Sequence, residues 1–232
     1  MSKVLKWLDN YWYHYKWQTL IVIFVLVVAV ICIGQMVTRT TADVYILYGG
    51  PAQLTANEIH EVDLAIQLMM QQDYNGDGEK SAELIYYLLM TDQQRKDALS
   101  EAEAQSEPLI INAKNLTDNQ NAFATQLAVG DAAICFLDPA WYQTARENNA
   151  FVPLATLLGK TPENAQDEYS ILLCDLPFAQ YFSAFSVFPP DTLVAVRAES
   201  AVNSSIGSDK KARLYEQQLE MFRSMVSFTV EN

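Results

Sequence analysis

The stretch Asp73-Tyr-Asn-Gly-Asp-Gly-Glu-Lys-Ser81 carries the most specific chemistry in the sequence. Oxygen-bearing side chains stand at its first, third and fifth positions (Asp73, Asn75, Asp77), with glycine at the sixth (Gly78). A backbone carbonyl from Glu79 and the hydroxyl of Ser81 complete a set of hard oxygen donors of the kind that suits calcium. The twelfth position holds Leu84 where a calcium loop of the helix-loop-helix type needs a bidentate glutamate, so the expected arrangement is a short DxNxDG loop with a structural ion. The same residues also suit a solvated turn in which Asn-Gly and Asp-Gly supply positive φ, and both readings are open.

Other constellations have less material. His60 lies beside Glu61, but one imidazole without a second nitrogen or thiolate makes a poor transition-metal site, and a polar helix face is expected. His14 falls in an aromatic segment near the N-terminus. Phosphate-binding glycine loops, nucleophile elbows and zinc signatures are missing from the sequence. Carboxylates are plentiful, and in so acidic a chain they read mainly as solvated faces, which leaves an acid–base hydrolase as a distant alternative. Cys135 and Cys174 each sit in an apolar run and are expected as buried thiols, while Cys32 belongs to the first apolar segment.

The elements that would position these residues begin with Thr19 to Val37, an uncharged run expected to form a transmembrane helix. Lys3, Lys6 and Lys16 precede it and Arg39 with Asp43 follows, which predicts a cytoplasmic N-terminus, an uncleaved signal-anchor and an extracytoplasmic C-terminal domain at the cell membrane. Trp12, Tyr13, Tyr15 and Trp17 would form an interfacial aromatic belt. The expected division is a cytosolic segment 1–18, a membrane helix 19–37, a stalk 38–42 and one domain over 43–232. Residues 40–232 hold 11 Lys and Arg against 27 Asp and Glu, a net of −16, which argues against nucleic acid as a partner.

Within the domain, Val44 to Tyr48 reads as a strand ending at Gly49-Gly50-Pro51, and Thr55-Ala-Asn-Glu58 as a capping box opening an amphipathic helix. Leu84 to Met90 is a second strand, so a βαβ unit with parallel strands is expected. Thr91-Asp-Gln-Gln94 and Thr117-Asp-Asn-Gln120 are read as starts of the next two helices, with Leu109 to Ile111 a short strand between them and Gly130 the left-handed residue ending the second. Ala132 to Leu137, Tyr169 to Cys174 and Thr192 to Arg197 are further strands, Asp138-Pro139 starts a helix, Ser200 to Lys210 is a polar loop, and Arg213 to Phe228 is the closing helix.

Residues 123–159, with Gly130-Asp131, Ile134 to Leu137, Trp141 to Glu147 and Phe151-Val-Pro-Leu154, resemble a segment of the extracellular solute-binding proteins of ABC transporters. Val44 to Gly50 is similar to that family's first strand and glycine turn, whereas Ala132-Ala133 stand where the family has Pro-Asp. The family is two-lobed and this chain has room for one lobe. The resemblance implies an α/β, mostly parallel-sheet, three-layer domain with Gly49, Gly50, Trp141 and Tyr142 near a ligand-binding edge, and no catalytic residue. A core helix face is the other reading of Trp141 and Tyr142. The expected function is a membrane-anchored, non-catalytic binding or sensing module for a small molecule, associated with a transporter. The alternative is a structural subunit docking an envelope or membrane partner, or a homodimer supplying the second lobe. A pocket rimmed by the four residues would favour the first and a flat apolar patch the second.

Overall fold

The computed structural model describes residues 3–37, 41–105, 111–199 and 209–229, and the chain divides into two units, 1–41 and 42–232. The first unit is one helix, α1 (Lys3–Val37). Its first half carries Lys3, Lys6, Asp9 and Lys16. Among the described residues no helix is long and apolar enough to cross a membrane. This corrects the expected transmembrane helix at 19–37, and the signal-anchor assignment falls with it. Most of the stalk and of the Leu109 to Ile111 strand, and nearly all of the Ser200 to Lys210 loop, lie outside the described residues.

The second unit is α/β. In chain order it comprises β1 (Val44–Gly50), α2 (Ala56–Met69), β2 (Ala82–Leu88), α3 (Asp92–Gln105), α4 (Ala113–Val129), β3 (Ile134–Leu137), α5 (Pro139–Glu147), α6 (Leu154–Leu158), β4 (Ser170–Leu172), α7 (Pro177–Tyr181), β5 (Leu193–Val196) and α8 (Asp209–Val226). The five strands form one sheet in the order β2-β1-β3-β5-β4. β1 is parallel to both β2 and β3, with Ile46 opposite Leu84 and Ile134. The expected βαβ unit is therefore present.

The sheet is mixed rather than mostly parallel, because β5 runs antiparallel to both β3 and β4. Side-chain alternation along each strand feeds two apolar layers. Ile46, Tyr48, Ile134, Phe136 and Val194 pack with Val62 and Ile66 of α2 and with Met221, Phe222 and Met225 of α8. On the other face Leu47, Cys135, Leu137 and Ala195 meet Phe123 of α4 and Tyr142 and Ala145 of α5. Both faces are covered, giving the expected three layers.

Local signals set most boundaries. Thr55 caps α2 by accepting from the Glu58 N–H, and the Glu58 carboxylate accepts from the Thr55 N–H at 2.7 Å. Asp138 caps α5, with Pro139 at its first position. Two expectations are corrected. α4 begins four residues before Thr117, at Ala113, where Asn112 supplies the cap. Gly130 is extended (φ −69°, ψ 176°) instead of left-handed, and glycine is needed there because a side chain would collide with Gln126 of the preceding turn.

Candidate functional site

The chain leaves β1 for β2 on one side and reaches β3 on the other, so the carboxyl ends of β1 and β3 form a topological switch point, where open α/β sheets bind ligands. Here that edge is closed by protein. Gly49 O accepts from Asp138 N at 2.9 Å and Gly50 O from Leu89 N at 2.8 Å. A Cβ on Gly49 would stand 2.6 Å from Phe123 Cε2, so glycine is what lets the α4 ring seat on the strand. A Cβ on Gly50 would stand 2.5 Å from the Tyr48 hydroxyl, which accepts from Ala52 N. Burial pushes the Tyr48 phenol well above its ordinary range. Asp138 accepts from Gln94 Nε2 at 2.7 Å, tying the start of α3 to the start of α5. Both glycines are buried spacers under aromatic rings.

Trp141 and Tyr142 are brought to different places. Trp141 lines a groove of about 420 Å³ between α4 and α5, with Phe123, Ala124, Leu127 and Ala128 opposite. Its ring meets Phe123 edge-on at 6.5 Å, and its Nε1 is buried without an acceptor. The groove continues past Asn148 and Asn149 at the end of α5 to Arg197, Ala198 and Glu199 after β5. Asn149 has φ +55°, a left-handed conformation that asparagine adopts more readily than most residues.

Arg197 is 3 % exposed. Its Nε donates to Ala132 O at 2.9 Å, its Nη2 to Gly130 O at 2.7 Å and its Nη1 to Ala198 O at 3.4 Å. None of the ion pairs among the described residues includes it. Its neighbour Asp131 is paired instead with Lys211 at 3.2 Å. Sequence reasoning missed Arg197. Its one available signal is a cation closing the apolar run Leu193 to Val196.

Tyr142 turns to a separate hollow of about 670 Å³ shared with Arg146, Asp167, Ser170 and Asp191. Its hydroxyl donates to Asp167 at 2.7 Å, and burial pushes the phenol far up. Asp167 also accepts from the N–H groups of Tyr169 and Ser170 and from the Ser170 hydroxyl, and it pairs with Arg146 at 3.1 Å. Partial burial raises this carboxyl, but the hydrogen bonds and Arg146 outweigh it and hold it below its ordinary value. The network is self-satisfied and ties the loop before β4 to α5.

The Asp73 loop folds around a residue the motif did not include. Asp43, with no exposed surface, accepts from Tyr74 N at 3.0 Å, Asn75 N at 2.6 Å, Ser81 N at 2.8 Å and Ser81 Oγ at 3.3 Å. Ser81 is thereby turned toward Asp43. The Asp73 carboxylate accepts from the N–H groups of Gly76 and Gly78, which hold it below its ordinary value. Asn75 Oδ1 accepts from Asp77 N and Asp77 Oδ1 from Glu79 N. Gly76 and Gly78 have φ of +76° and +97°, as Asn-Gly and Asp-Gly turns require. Among the described residues no group of three or more His, Cys, Asp and Glu side chains is placed to hold a metal ion.

The thiols separate as well. Cys135 is buried as expected, whereas Cys174 is exposed because its segment closes into a tight turn after the short strand β4. Desolvation pushes the Cys135 thiol up to about 12.

No protein-family model, curated protein or solved structure matches the chain.

Proposed function

We propose that the 42–232 unit is a non-catalytic binding module that takes a small, largely apolar ligand in the α4–α5 groove. The observation that carries this reading is the groove itself, about 420 Å³ and walled by Phe123, Leu127 and Trp141, with a few polar side chains in its lining: Asn148, Asn149, Arg197 and Glu199 at one end, and Gln120 and Thr144 elsewhere. Few polar groups in an apolar hollow of this size is the usual composition of a small-molecule site. The resemblance of residues 123–159 to solute-binding proteins supports a binding role. The site in this reading lies on the helical layer, with the Phe123 ring between it and Gly49.

The test is titration of the full chain with a neutral fluorescent probe, N-phenyl-1-naphthylamine, beside an Ala128→Trp variant. Ala128 is exposed on α4, so its replacement fills the groove without disturbing the core. The expected result is a saturable component that Ala128→Trp removes. Identical titrations of the two proteins overturn the reading.

A second reading, a structural subunit, is favoured by one observation on α1. Trp17, Phe24 and Val30 are 72 %, 69 % and 68 % exposed, apolar side chains of the kind that a protein partner covers.

A further inference from the structure

We infer that the ligand of the α4–α5 groove is an amphipathic carboxylate, an aryl or alkyl acid whose anionic head meets Arg197 and whose apolar body lies along Phe123, Leu127 and Trp141. This deepens the groove reading and rests on it.

The argument starts from the cost of burying charge. A guanidinium removed from water needs either an anion or enough acceptors to replace its hydration, and it carries five N–H donors. Arg197 is almost wholly buried, yet its hydrogen-bond partners among the described residues are three neutral carbonyls, one of them at 3.4 Å. The carboxyl end of α4 contributes a partial negative charge through Gly130 O. That leaves a positive group with spare donors and no carboxylate partner among the described residues.

Position supplies the second strand of the argument. Arg197 lines the polar end of the same groove whose walls are Phe123, Leu127 and Trp141. A carboxylate accepts two parallel N–H bonds from a guanidinium, a match that a neutral amide or alcohol cannot reproduce. The apolar walls then set the tail, and 420 Å³ suits an acid of about a dozen heavy atoms by the usual scale of small-molecule pockets. Glu199 stands exposed at the mouth, where water screens it, and the chain's net charge of −13 makes an anion-binding site dependent on one local cation.

The experiment compares 3-phenylpropionate with 3-phenylpropionamide by calorimetry on the full chain. The expected result is binding of the acid at least tenfold tighter than the amide, weakened by salt and lost in Ala128→Trp. Arg197→Lys keeps the charge but removes the fork, and is expected to reduce the preference for acid over amide severalfold. Because Arg197 also holds the 130–132 turn, the Ala128→Trp arm keeps the test valid should that variant misfold. Equal affinity for acid and amide overturns the carboxylate inference and leaves the groove reading standing. Failure of both compounds, together with a probe titration unaffected by Ala128→Trp, overturns both. Acid binding that survives Ala128→Trp places the anion site elsewhere and overturns the inference.

Discussion

Replacing Asp63 by asparagine should make the domain more stable at neutral pH. Asp63 lies half-buried on α2, and its Oδ1 accepts from Leu84 N at 2.7 Å, joining the helix to β2. Desolvation, with a smaller push from Glu83, raises its carboxyl from 3.8 to about 6 against the lowering effect of the Leu84 hydrogen bond and His60. The folded chain therefore holds this proton to higher pH than the unfolded chain. Stability is unaffected by the group below the unfolded value, declines as pH rises between 3.8 and about 6, and carries the full penalty above that window. At about 1.4 kcal/mol per pH unit the penalty is bounded at about 3 kcal/mol, and solvent screening of a half-exposed group reduces it to about 1 kcal/mol. Asparagine keeps the acceptor and removes the charge. Asp63→Asn should raise the midpoint by about 2–4 °C at pH 7.5, the shift about 1 kcal/mol produces in a domain of this size. The advantage should vanish at pH 4. Urea and thermal unfolding of both proteins at the two pH values read this directly. A variant less stable than its parent at pH 7.5, or equally displaced at both pH values, would refute desolvation as the dominant effect.

Three further outcomes follow from the packing. Asp43→Asn should cost about 2–3 kcal/mol in urea unfolding, because an amide presents N–H groups to donors that now find a carboxylate. Gly49→Ala should destabilise by about 1–3 kcal/mol, since its methyl would meet Phe123 and Leu89, and a crystal structure should show the Phe123 ring displaced toward the groove. Maleimide labelling of the native chain should modify Cys174 and spare Cys135 until denaturant is added, as mass spectrometry of digests would show; modification of Cys135 in the native state would contradict its burial.

Much of the α/β layer was legible in the residues because the relevant forces are local. Thr55 with Glu58, and Asp138 with Pro139, each announce a helix start through groups that satisfy the orphan N–H donors of the first turn. The short apolar runs, β-branched or aromatic, announced β1, β2, β3 and β5, and the βαβ connection implied that β1 and β2 run parallel. Strand direction beyond that unit was not legible. A strand covered on both faces is apolar throughout, so Leu193 to Val196 reads the same whether it joins β3 parallel or antiparallel.

The candidate site shows the same division. The glycine turn, Trp141 and Tyr142 were visible as residue types, and adjacent positions on a helix point about 100° apart, but only tertiary packing puts a groove against α4 on the Trp141 side and a separate hollow on the Tyr142 side. The Asp73 loop was visible as a ligand-like spacing, whereas its anchor Asp43 lies about thirty residues earlier and meets it through the β1–β2 pairing. Arg197 had no motif to announce it. The sequence by itself determined the caps of α2 and α5, the parallel β1–α2–β2 unit and the acidic balance, since each follows from neighbouring residues or composition. Tertiary structure alone decided which buried groups lack a counter-charge, because charge compensation depends on distances between segments that the chain order leaves open.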